Sequence, residues 1–176
     1  AENARWTLRA SSEGLDPAVF TGQSGGTLMR FSARGDGVGG SANLRGEWQQ
    51  GDNRVVVQPS QLQLREQTLH AQPLVIDALD GRITLNGSGT FKQEMAQFKF
   101  AANARGLRWR DAQGTTQIAG GGDFGVAGTR EAWAVIGRAQ LQRGNERADV
   151  NLDGAGDARG LTINSLRAVM PQGRLD

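Results

Sequence analysis

The chain contains no cysteine and no tyrosine, a single histidine, four prolines and, among its 20 basic residues, only two lysines. Without thiols it can form no disulfide, no thiolate nucleophile and no Cys-ligated zinc site, a usage that fits an oxidising compartment without requiring one. No apolar run approaches the ~18 residues of a membrane helix, and no secretory-signal pattern opens the chain. Long helices are missing from the pattern as well. The single helical hint is Leu15-Asp16-Pro17-Ala18-Val19-Phe20, one turn in which Asp16 would cap and Pro17 would take the first helical position. Charge of one sign is scarce too: 20 basic against 18 acidic residues leave a net +2. The arginines are scattered among Asp and Glu, whereas a phosphate-tracking surface concentrates them in a patch, so nucleic acid is not an expected partner. The densest group, Arg105, Arg108 and Arg110 around Trp109, reads as a solvated strand face carrying one anchored Trp.

What the chain does contain is an apolar/polar alternation of period two, repeated almost end to end. From Arg82 to Phe91, Ile83, Leu85, Gly87, Gly89 and Phe91 point one way, and Arg82, Thr84, Asn86, Ser88 and Thr90 the other. Gln97 to Arg105 repeats the split, with Phe98, Phe100, Ala102 and Ala104 on the dry side. The 176 residues fit one domain, 1–176. With 26 glycines they favour turns and bends over helices, and 38% hydrophobic residues are too many for a disordered chain.

Strands are expected at Trp6 to Ala10, Thr27 to Arg34, Ser41 to Gln49, Asn53 to Gln58, Gln61 to Arg65, Thr68 to Ala71, Leu74 to Ala78 and Arg82 to Phe91. Further ones are expected at Gln97 to Arg105, Leu107 to Arg110, Gln117 to Gly120, Asp123 to Gly128, Trp133 to Gln142, Arg147 to Gly154, Leu161 to Ile163 and Leu166 to Val169. Most are short, with turn chemistry between them such as Gly51-Asp52-Asn53, Asp80-Gly81 and Arg143-Gly144-Asn145. This pattern predicts an all-β sandwich, barrel or roll. A membrane-spanning barrel fits less well, because its strands need ~9–11 residues and aromatic girdles. Several strands end on an apolar residue, a polar one and a glycine, as at Gly46, Gly87, Gly128 and Gly154. On the apolar face such glycines leave room for a bend or a second body.

The catalytic motifs are weak. Gly22-Gln23-Ser24-Gly25-Gly26 matches the nucleophile elbow, but a strand follows where a helix is required, and His70 with Asp36 or Asp52 would have to complete the site. Gly35, Gly37 and Gly40 match a dinucleotide fingerprint that also needs a helix. Asn86-Gly87-Ser88 is a formal glycosylation acceptor inside a strand. Glu66, Glu94, Glu131 and Glu146 lie in or beside turns and form no acid/base pair. No catalytic, cofactor-binding or metal-ligating residue is expected.

A diffuse set of motifs runs from end to end: Trp6-x-Leu8 followed by Leu15-Asp16-Pro17, then Gly26-x-Leu28, then Leu79-Asp80-Gly81-Arg82-Ile83-Thr84-Leu85-Asn86-Gly87-x-Gly89, and finally Ala168-x-x-Pro171-x-Gly173-x-Leu175. In this order they resemble the TamB family of AsmA-like bridging proteins of the Gram-negative envelope. The resemblance implies a strongly curved antiparallel or mixed sheet forming a β-taco or open β-roll groove with a hydrophobic interior. It also implies a periplasmic location within an inner-membrane-anchored protein and a TamA-type outer-membrane barrel as partner. The chain would be an internal segment of a longer protein, since Gly173 to Asp176 reads like the opening of another strand. The expected groove lining is Met29, Phe31, Leu44, Trp48, Val55, Val57, Leu62, Leu64, Ile83, Leu85, Phe91, Phe98, Phe100, Phe124, Val126, Trp133, Val135, Val150, Leu152, Leu161 and Ile163. Packing of these side chains into an ordinary core is the competing expectation. Three functions follow: carriage of phospholipid acyl chains between membranes, a chaperone or scaffold for outer-membrane β-barrel and autotransporter assembly, or a closed soluble barrel or adhesin-like β-roll.

Overall fold

A computed structural model describes residues 4–15, 28–90, 96–111, 113–129, 131–171 and 173–175. Its elements are β1 (Arg5–Leu15), β2 (Met29–Val38), β3 (Ser41–Gln50), β4 (Asn53–Arg65), β5 (Thr68–Ala78) and β6 (Gly81–Thr90). They continue as β7 (Gln97–Arg110), β8 (Thr116–Thr129), β9 (Trp133–Arg143), β10 (Glu146–Gly156), β11 (Leu161–Met170) and β12 (Gly173–Leu175). All twelve form one sheet in chain order, each antiparallel to the next, and the sheet does not close, because β1 and β12 each have one neighbour. No helix occurs among the described residues. The expected turn at Leu15 to Phe20 reaches beyond the described residues, as do the Gly22 to Gly26 motif and Phe91.

Of the two expected forms, antiparallel or mixed, the sheet takes the first: every pairing is antiparallel. The short strands are corrected. Apart from β12, with 3 residues, the strands run to between 10 and 14 residues, so brevity is no argument against a spanning barrel. The apparent breaks are mostly β-bulges. Two apolar-face residues three positions apart would fall on opposite faces of a regular strand, and an extra residue restores their common side. Gln58-Pro59 lies between Val57 and Ser60 in this way, Gln72-Pro73 between Ala71 and Leu74, and Arg105-Gly106 between Ala104 and Leu107. Asn164-Ser165 does the same between Ile163 and Leu166.

Proline lacks the N–H a central strand needs, yet Pro59 and Pro73 sit mid-strand. Between Val57↔Ile76 and Leu62↔Ala71 the β4–β5 ladder is interrupted. Ser60 spans the gap: its hydroxyl accepts the Val75 N–H at 3.0 Å and donates to the Gln58 carbonyl at 2.8 Å.

Candidate functional site: two faces of one sheet

The register sorts side chains onto two faces, because directly paired residues share a side. One row crosses eleven strands: Trp6, Gly37, Ala42, Leu62, Ala71, Gly87, Phe100, Val126, Val135, Gly154 and Ile163. Parallel rows displaced to one side of it hold Leu8, Leu44, Leu74, Leu85, Phe124, Leu152 and Leu166, and, farther along, Phe31, Trp48 and Val55. Each described member of the expected lining lies on this apolar side. Trp6, Leu8, Leu69, Leu74, Ile76, Leu107, Trp109, Ile118, Leu141 and Leu166 share it and were missed. A phase count restarted after each bulge finds most of them.

Among the described residues no second layer covers this face: the extensive contacts between elements all run between consecutive strands, and no large side chain is fully buried. The deepest apolar side chains are the small Ala71 and Ala104, whereas Ile163 is 53% exposed and Trp109 61%. Trp109 is therefore not the anchored residue of a polar face. It pairs with Ile118 on the apolar side, while Arg110 turns to Asp80 and donates to it at 2.8 Å.

The glycines of the apolar face are less open than their lack of a side chain suggests. An added Cβ at Gly87 would strike the Lys99 carbonyl and the Phe100 ring and one at Gly128 the Ala132 carbonyl and the Trp133 backbone, while at Gly154 it would crowd the Thr162 carbonyl, Leu161 and Val135. At Gly46 the tightest neighbour is the Ser32 carbonyl. Backbone and side chains of neighbouring strands thus occupy much of the room assigned to a second body. The Trp6 ring likewise lies over Gly37, its indole N–H donating to the Gly39 carbonyl at 3.2 Å. Covering a strand glycine with a cross-strand aromatic stabilises the pair.

The opposite face is polar and laced by ladder pairs. Arg54 donates to Glu47 at 2.7 Å, and Arg82 to Asp77 at 2.7 Å. The Arg54 bond holds the Glu47 carboxyl below its ordinary range, and bonds from Arg82 and then Gln58 do the same for Asp77. Asp111 is lowered chiefly by the Thr115 backbone N–H and fastens the β7–β8 turn. His70 pairs with Gln63 and Ser88 on this face. Asp36 accepts from Asn43 on β3, and its own strand β2 lies three strands from His70, roughly 14 Å at ~4.8 Å per strand. The structure does not bring them together. No three His, Asp or Glu side chains converge among the described residues.

A hollow of about 1030 Å³ lies over β7 to β10, and its lining takes consecutive residues of both faces, with Leu107, Leu141 and Val150 of the apolar side beside Arg108, Arg138 and Arg147 of the polar side. Fold and faces together define an open, single-layer antiparallel meander with one apolar and one polar side. No protein-family model, curated protein or solved structure matches the chain.

Proposed function

We propose that this chain is a non-enzymatic segment of a TamB-like bridge, periplasmic and part of an inner-membrane-anchored protein, whose sheet curves into a hydrophobic groove for phospholipid acyl chains. One observation carries the reading: a contiguous apolar face runs across eleven strands with no second layer packed on it among the described residues. Burying a CH₂ is worth about 0.8 kcal/mol, so a ~16-carbon tail crossing bare water faces a cost on the order of 13 kcal/mol. A continuous apolar track removes most of that cost. Aliphatic side chains and flat rings over glycine make contacts without direction, which lets a chain slide. With the glycine gaps filled, the groove's depth comes from bending of the sheet as a whole. A TamA-type outer-membrane barrel would engage regions outside this chain.

A photo-crosslinker at position 83 of the full-length protein, compared with one at 84, tests the reading. Lipid adducts should form at 83 and fall about tenfold at 84, whose side chain pairs on the polar face. Ile83→Arg should impair lipid transfer and Thr84→Arg should leave it intact. Equal adduct yields on the two faces would refute the assignment.

A second reading rests on the sheet edges. β12 pairs with β11 at Ala168, Val169 and Met170, and among the described residues no strand pairs with Leu161 to Leu166 on that side or with β1 on its outer side. Such edges accept an added strand, the chemistry of a chaperone for outer-membrane β-proteins. Protein adducts at β11 with no lipid at position 83 would favour it.

A further inference from the structure

We infer that the outer edge of β1 takes up an extended segment of a separate polypeptide whose side chains run acid, apolar, polar, apolar, acid. This selectivity rests on the second reading above, in which the sheet edges accept an added strand, and specifies the strand that β1 selects. From Arg5 to Ser12 the register with β2 runs without a shift, Arg5↔Val38 through Ser12↔Phe31, and the irregularity comes only between Ser12 and Leu15. That stretch holds no proline, no lysine and no bulge, the devices that blunt an exposed edge. Among the described residues no strand pairs with its outer side.

The side chains of β1 set what a neighbouring strand has to carry. Trp6 and Leu8 stand on the apolar face, Arg5, Thr7 and Arg9 on the polar one. Trp6 is 38% exposed and Leu8 56%, so an incoming strand has apolar surface to cover. On the polar face it meets charge without a partner. Arg9 stands directly opposite Arg34, and Arg34 directly opposite Arg45, which puts like charges side by side across β1, β2 and β3. Like charges in that relation destabilise a ladder. Arg5 stands opposite Val38. Arg5, Arg9, Arg34 and Arg45 make no ion pair or hydrogen bond among the described residues. The acids flanking the row are already engaged, Asp36 by Asn43 at 3.3 Å and Glu47 by Arg54 at 2.7 Å. Elsewhere on this face an acid directly opposite answers the arginine: Arg82 faces Asp77 and donates to it at 2.7 Å. The inner neighbour of Arg9 is an arginine, so the ladder position left for an acid is on the incoming strand. Directly paired residues share a face. Acids opposite Arg5 and Arg9 therefore bracket apolar residues opposite Trp6 and Leu8. The order reads the same from either end, so strands of both directions satisfy it. The sheet already accommodates such a strand, since β10 carries Asp149-Val150-Asn151-Leu152-Asp153 between its two neighbours.

A labelled peptide with the central order Asp-Val-Asn-Leu-Asp, titrated with the full-length protein and followed by fluorescence polarisation at about 50 mM salt, is the probe. Saturable binding is expected. Arg5→Glu with Arg9→Glu should weaken it about tenfold or more, and a peptide with Lys at both acid positions should regain most of that loss on the variant. Both arginines are exposed, and an unchanged urea midpoint checks that the variant folds. Arg108→Glu with Arg147→Glu makes the same charge change at β7 and β10 and should alter affinity less than about twofold. Equal losses in the two variants, or equal binding of a peptide of the same composition in the order Asp-Asp-Asn-Val-Leu, would overturn the inference in favour of bulk charge attraction. A peptide with Gln at both acid positions that binds as tightly as the acidic one would overturn it while leaving the second reading in place. If no peptide binds, the edge is covered in the full-length protein or guarded by its arginines, and both fall at β1.

Discussion

Ser60 is 3% exposed and is the one polar side chain sealed from solvent among the described residues. It is held there by the two prolines that interrupt its ladder. Pro59 and Pro73 cannot donate, β4 and β5 separate around them, and the Val75 N–H would face a gap without the Ser60 hydroxyl. A backbone donor left without a partner costs about 1–3 kcal/mol. Ser60→Ala should therefore lower stability by about that amount, read as a lower urea midpoint with unchanged slope. The β4–β5 amides nearest residue 75 should lose exchange protection first. A loss below about 0.5 kcal/mol would mean that water reaches the gap and replaces the hydroxyl.

Among the elements, the two-residue hairpin turns carry the visible strain. At Gly51-Asp52 and Gly144-Asn145 only the first central residue has positive φ, and it is glycine, as a type II′ turn requires. Glu66-Gln67 and Leu79-Asp80 instead hold both central residues at positive φ, 47° and 66° in one and 50° and 60° in the other. That is type I′ geometry, which ordinarily uses Asn-Gly, and each side chain there costs on the order of 1 kcal/mol. Replacing Glu66-Gln67 with Asn-Gly should raise stability by about 1–2 kcal/mol and slow unfolding, measured by denaturant melts and stopped-flow. Unchanged stability would show the turn to be relaxed by the flanking strands. The same exchange at Leu79-Asp80 is a poorer choice because it removes the carboxylate that Arg110 holds.

The same elements show what a reader of the residues alone could see. Alternation located Gln97 to Arg105 and the described part of Arg82 to Phe91, through Thr90, and put Phe98, Phe100, Ile83 and Leu85 on one side, because a regular strand conserves phase. It failed at Pro59, Pro73, Gly106 and Asn164, where an extra residue inverts the phase and imitates a strand end. β8 was split for another reason, its glycine run at Gly120 to Gly122, which reads as flexible or sharply bent but continues the strand opposite the β7 bulge. Proximity in the chain grouped Arg110 with Arg105 and Arg108, and the fold sends it to Asp80 instead.

For the whole molecule, the single layer formed by the described residues decides how stability is distributed. Contacts join each strand to its sequence neighbours, so the sheet resembles a repeat array in which free energy is a sum of nearest-neighbour interfaces. Among the described residues no central core makes distant strands depend on one another. A chain ended after residue 156, without β11 and β12, should therefore keep β1 to β9 folded. Amide protection in β4 to β6 should change by less than about threefold, while β10, newly at the edge, should lose most of its own. A compact domain cut in the same way would lose its common core and unfold throughout. Global loss of protection would mean that the apolar face is closed by contacts reaching across the sheet, and an accessible acyl track would then have no place.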